Sequence, residues 1–119
     1  MNFQQGIKMC NFIGIEYLVA LALIINNKEE ISLAELNEYG VKITKVINDR
    51  NINAVFLFSS KYAIDMVRNY SDCFEWKEEE SVLRRKANVS NDDLISKFLD
   101  YLSTDVLLAA QETKDTDAA

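Results

Sequence analysis

Between residues 12 and 27 the chain is apolar at almost every position, interrupted only by Gly14, Glu16 and the closing Asn26 and Asn27. That density predicts a helix without a polar face, one that must be enclosed in a core or shared between two subunits. The apolar stretch 12–25 is short of the ~20 residues that span a bilayer. Glu16 lies inside it and no small-residue cleavage pattern follows, so a buried helix is expected rather than a membrane span or a signal peptide.

Residues 28–32 read as a short link. A short helix is predicted over 33–39 with Ser32 as its N-cap, ended by Gly40. Helical spacing resumes over 41–51, with Ile43, Val46 and Ile47 inside and Lys42, Lys45 and Asp49 outside. The run Ala-Val-Phe-Leu-Phe at 54–58 is aromatic and β-branched, which predicts a strand buried on both faces. Over 61–71, Ile64, Val67 and Tyr70 recur at helical spacing, while Lys61, Asp65, Arg68 and Asn69 fall opposite. Segments 73–77 and 81–86 flank Glu78, Glu79 and Glu80, and Phe74 and Trp76 alternate with Glu75 and Lys77. This pattern predicts a β-hairpin with an acidic tip.

A last long helix is predicted over 91–111. It opens on Asn91, Asp92 and Asp93, which suit a positive helix end. Its apolar stripe is Leu94, Ile95, Phe98, Leu99, Tyr101, Leu102, Val106 and Leu107. Residues 112–119 are polar and are expected to form a flexible tail. The fold class that emerges is α+β: a single helix-rich domain over 1–111, with a small two- to three-stranded sheet and a long C-terminal helix.

Composition narrows the chemistry. The 119 residues include no histidine and no proline, and the glycines are Gly6, Gly14 and Gly40 alone. Without histidine, serine–histidine and cysteine–histidine catalysis are excluded, as is histidine ligation of zinc. No glycine-rich phosphate loop is present. Cys10 and Cys73 are far apart and stand in no paired ligand spacing, so both read as buried thiols of a reducing cytoplasm. The expectation is a cytoplasmic, non-enzymatic protein with no cofactor, no metal and no membrane partner.

Charge is unevenly spread. The whole chain is −6, yet residues 41–86 carry nine basic and seven acidic side chains. A basic middle between acidic flanks suggests a middle that meets an anion.

Two stretches resemble the winged helix-turn-helix DNA-binding superfamily. Residues 16–46 are similar to its opening: an apolar first helix, a short extended link, a second helix beginning near Ser32, a glycine turn at Gly40 and a third helix carrying Val46. A second placement concerns the wing. There the hairpin 73–86 directly follows the helix 61–71, as a wing follows a recognition helix, and its returning strand ends Arg84-Arg85-Lys86. The strand 54–58 would then be the third of a small sheet. The resemblance implies a winged-helix-like domain acting as a homodimer on duplex DNA, as a regulator or a plasmid or phage accessory factor. Its contacts would be Lys61, Arg68, Asn69, Arg84, Arg85 and Lys86, with Lys42 and Lys45 as outer phosphate contacts. Arg84, Arg85 and Lys86 carry particular weight, because consecutive strand residues point to opposite faces and one solvated face cannot explain all three. The competing reading is an acidic, dimeric protein-interaction module, an adaptor, chaperone-like protein or inhibitor that binds no nucleic acid.

Overall fold

The apolar run becomes a central helix. In the computed structural model, which describes residues 11–118, α1 (Ile15–Ile25) buries every side chain from Leu18 to Leu23 completely. It is packed by α2 (Leu33–Asp49), α3 (Ser60–Asn69), α4 (Asn91–Lys97), α5 (Thr104–Ala118) and the strand β2 (Glu30–Ser32). Of the two expectations for this helix, enclosure in a core and sharing between subunits, the first is what the fold shows. Phe12 and Ile13 lie outside the helix, in β1 (Asn11–Ile13).

Two small sheets flank this helix. β1 pairs in parallel with β3 (Ala54–Phe56), in the register Phe12↔Val55. The other sheet is antiparallel and has the order β2-β5-β4, with β4 (Phe74–Lys77) and β5 (Val82–Arg85) forming the expected hairpin. The strand around 54–56 is buried on one face only. Ala54 faces inward, whereas Val55 and the following Leu57 are exposed. Residues 28–32, read as a link, contain β2. That strand was hidden because only Ile31 in it is apolar, and three residues are too few to show alternation.

Gly40 does not end a helix. α2 runs unbroken through it, because Leu36, Tyr39, Ile43 and Ile47 form one buried stripe spanning the glycine. Ser32 caps its start as expected: the hydroxyl accepts from the Glu35 amide while the Glu35 carboxylate accepts from the Ser32 amide. A Cβ at Gly40 would meet the Leu18 side chain at 3.4 Å, ordinary van der Waals contact. Gly40→Ala is therefore expected to stabilise the protein by about 0.5–1 kcal/mol, the helix-propensity difference. Urea unfolding checks this, and a loss of stability would mean the position needs glycine after all.

Asparagine replaces glycine at the helix ends. Asn27 and Asn51 take φ of 52° and 56° after α1 and α2. Lys28 N–H donates to Leu23 C=O and Ile52 N–H to Ile47 C=O, while Asn27 and Asn51 donate to Ile24 and Asn48. These are paired closures of the last helical turn, with asparagine in the left-handed position that it tolerates better than most residues.

The predicted long C-terminal helix is two helices. α4 is capped by Ser90, one residue before the expected start, in a capping box with Asp93. The Ser90 backbone amide, donating to Asp93, holds that carboxyl below its ordinary pKa. At Phe98 the chain leaves helical geometry and passes through a 3-10 turn, Leu99–Tyr101. It restarts where the Ser103 hydroxyl accepts from the Val106 amide. The apolar stripe hid this break, because it continues across both helices. Tyr101, placed on that stripe by the sequence pattern, is exposed.

Residues 112–118 continue α5 instead of leaving it as a tail. Thr113 is buried, donating to Ala110 C=O and lying 3.4 Å from the Tyr39 hydroxyl, and Glu112 meets Arg50 at 2.6 Å. Truncation after Gln111 is therefore expected to lower stability by about 1–2 kcal/mol, mostly through Thr113, and the melting temperature by roughly 5 °C. The exposed Arg50–Glu112 pair contributes little to that figure. A melting temperature unchanged on truncation would contradict it.

Candidate nucleic-acid interface

The eight cationic and amide residues singled out in the sequence fall on three elements. Lys42 and Lys45 lie on α2, where Lys42 is half-buried and Lys45 exposed. Lys61, Arg68 and Asn69 lie on α3. Arg84 and Arg85 close β5, and Lys86 follows it.

α3 is amphipathic in a way its sequence predicts. Ser59 caps it, accepting from the Tyr62 amide. Ala63 and Met66 are buried, Val67 packs partly against the core, and Ile64 is half-buried. The outer side presents Lys61, Tyr62, Arg68 and Asn69, all exposed, and Asp65, which lies 4.0 Å from Arg68. Arg68 is 79% exposed, so this pair leaves its guanidinium in solvent. Lys61 and Arg68 stand seven residues apart, as do Tyr62 and Asn69, so the four make two neighbouring stripes two turns long. Tyr62 is the member that the sequence reading passed over. Its position one heptad before Asn69 was the available signal.

The cationic end of β5 has a different role from the one expected. Arg85 is only 5% exposed. Its Nε and Nη2 donate to the two carboxylate oxygens of Glu29 at 3.0 and 3.2 Å, and Nη1 donates to Asn91. Three of its five N–H groups are engaged within the fold, and its burial leaves the guanidinium little access to a phosphate. Arg84 stands in register between Glu30 on β2 and Glu75 on β4, and its Nη1 lies 3.3 Å from Glu30. Alternation along the strand does send the two arginines to opposite faces, but each face supplies a glutamate. Lys86 is half-buried, and its backbone amide donates to Cys73 C=O.

The hairpin tip is acidic and held in place. Glu78, Glu79 and Glu80 are exposed, and Ser81 turns the chain with φ 53°. The Leu33 amide donates to Ser81 C=O, tying the tip to the start of α2. Three carboxylates at this position repel phosphate.

No known family, characterised protein or solved structure matches this chain. Its own geometry therefore carries the functional argument.

Other reactive groups are quiet. Cys73 is buried, and burial pushes its thiol up, so the neutral form prevails near pH 7. Its neighbour Asp72 pairs with Lys97, an interaction that holds the carboxyl low and the ammonium high. Cys10 lies outside the described residues. Among the described residues no three histidine, cysteine, aspartate or glutamate side chains converge on a metal position, and no helix is long and apolar enough to cross a membrane.

Proposed function

We propose that this chain is a winged-helix-type DNA-binding protein whose third helix, α3, enters the major groove. The observation that carries the reading is the path of the chain around the antiparallel sheet. α1 leads to a short strand, β2. α2 follows, then α3 runs directly into the hairpin β4–β5, and β5 lies between β4 and β2. Parts of the two resemblances in the sequence fit this one path. The opening placed over residues 16–46 supplies the first helix, strand and second helix, but not its glycine turn or its third helix, because α2 runs unbroken through Gly40 and Val46. The later placement supplies the recognition helix and wing. β3 is an insertion between the second and third helices, and β2, not β3, is the third strand.

The contact set narrows accordingly. Lys61 and Arg68 are the phosphate-binding cations of α3, with Lys45 as an outer contact. Tyr62 and Asn69 are the groups that reach base edges or sugars. Arg84 and Arg85 are occupied within the fold, and the hairpin tip stays clear of the backbone because of its glutamates. The reading needs no second copy of the chain.

Fluorescence anisotropy with random-sequence duplex at about 50 mM salt tests it. Binding is expected, and Lys61→Ala with Arg68→Ala should flatten the slope of log affinity against log salt by roughly 1.8, about 0.9 per lost phosphate contact. Asn69→Ala should leave the slope alone and change sequence preference. If wild-type protein leaves the duplex unbound at that salt, the reading fails. The protein-interaction module then takes its place, a reading favoured by the acidic hairpin tip and by the internal pairing of Arg84 and Arg85.

A further inference from the structure

The structure brings β1 and the start of α1 together with the 3-10 turn and the start of α5 around an open cleft. The cleft has a volume of about 440 Å³ and is lined by Phe12, Ile13, Tyr17, Tyr101, Leu102 and Val106, with Ser103 supplying a polar edge. One wall is β1 and the first turn of α1. The other is the 3-10 turn and the start of α5. Tyr101 and Phe12, 75% and 67% exposed, are the most exposed large hydrophobic residues described, and both belong to this one cleft. Tyr17 is fixed beneath them by an edge-on contact with Phe98, ring centroids 5.9 Å apart.

The walls carry charge of one sign. Residues 11–27 contain Glu16 and no lysine or arginine, and residues 98–113 contain Asp100, Asp105 and Glu112 and no lysine or arginine. Asp100 is adjacent to Tyr101 in the chain and Asp105 to Val106, and both are exposed. Among the described residues neither carboxylate is paired with a cation. Glu112, further along the same segment, does face a cation, Arg50. The exposed rings, with two unpaired carboxylates on residues next to the lining in the chain, leave open surface that core packing does not account for.

We propose that this cleft is a docking site for a partner protein, and that the segment it takes combines an apolar anchor with arginine. The apolar side chain fills the floor over Leu102 and Val106. An arginine alongside it lies on the exposed face of Tyr101 or Phe12, where a planar guanidinium stacks better than an ammonium. Asp100 and Asp105 then complete its hydrogen bonding. None of the residues placed on α3 takes part, so the site operates whether or not the protein binds DNA.

Calorimetric titration with synthetic peptides tests the proposal. The probe is an acetylated, amidated peptide of four Leu-Arg repeats. The controls replace every leucine with serine, or every arginine with glutamate. Micromolar binding of the Leu-Arg peptide is expected, with each control roughly tenfold weaker or worse. Tyr101→Ala should weaken it by a similar factor, as should Asp100→Asn with Asp105→Asn. All three positions are exposed, and thermal melts verify that the variants fold. Equal binding of the Ser-Arg peptide would reduce the site to general acidity, and equal binding of the Leu-Glu peptide would reduce it to general apolar adhesion. Binding untouched by Tyr101→Ala would place the peptide elsewhere. Self-association abolished by Tyr101→Ala in the absence of peptide would make a second copy the occupant. Each of these results, or no binding of the Leu-Arg peptide, overturns the proposal.

Discussion

Phe98→Ala is expected to remove about 3–5 kcal/mol of stability, the cost of deleting a fully packed aromatic ring. That is a large fraction of the whole margin of a domain this size. Phe98 is 1% exposed and sits where α4 gives way to the 3-10 turn. Its ring meets Tyr70 at 5.1 Å and 70°, Phe74 at 5.8 Å and 34°, and Tyr17 at 5.9 Å and 90°. These partners come from the end of α3, from β4 and from α1, so a single side chain joins the C-terminal segment to the helix, the hairpin and the centre of the core. Edge-on pairs of this kind add to simple area burial. The surrounding elements are separately anchored, so the site has little freedom to collapse into the cavity. Phe98→Leu, which keeps most of the volume, should cost less than half as much. Urea unfolding of the two variants checks the pair of values. A Phe98→Ala loss below about 1 kcal/mol would show that the C-terminal segment is an accessory to the fold.

The parts of this fold that were legible in the sequence are those specified locally. Ser32 with Glu35 announces the start of α2, and the alternation of Phe74 and Trp76 announces the hairpin, because caps and pleats act over a few residues. The outer face of α3 was legible for the same reason, since helical spacing sets Lys61, Arg68 and Asn69 apart from Ile64, Val67 and Tyr70. The centre of the inner face was not, because the fully buried side chains are Ala63 and Met66 and those three are only half-buried. What the sequence concealed depends on distant packing. An apolar circumference describes a helix at the centre of one core as well as it describes a subunit interface, and only the packing of α2 through α5 around α1 separates the two. Gly40 looked like punctuation because glycine usually is, but the stripe through Leu36 and Ile43 holds α2 together. Ser103, Thr104 and Asp105 did carry a helix-start signal, and the continuous stripe masked it. The reading of Arg84, Arg85 and Lys86 was the least recoverable of all. Glu29 and Glu30 are more than fifty residues away in sequence, and nothing near the arginines advertises them.

Those partners make the two arginines unequal, and Arg85→Ala is expected to cost about 2–3 kcal/mol, in the range of hydrogen bonds to charged groups. The change removes three side-chain hydrogen bonds and a buried stem that packs on the same sheet face as Leu83. It does not strand a buried charge, because Glu29 is 69% exposed and returns to water. The loss therefore stays below the ~3–5 kcal/mol of a fully buried broken pair. Arg85→Lys keeps the charge but loses the planar fork that spans both Glu29 oxygens, and should recover less than half of the loss. Arg84→Ala should cost no more than ~1 kcal/mol, as its pair with Glu30 is half in solvent. Denaturant midpoints of the three variants provide the check. Equal losses at positions 84 and 85 would mean that the guanidinium of Arg85 is not held as described. The ordering also bears on function. A triple alanine variant at 84, 85 and 86 lowers stability through Arg85 whatever the protein binds, so any loss of DNA affinity in it reports on the fold. Substitutions on α3 are the ones that separate contact from scaffold, since Lys61, Arg68 and Asn69 are exposed and their removal leaves the core intact.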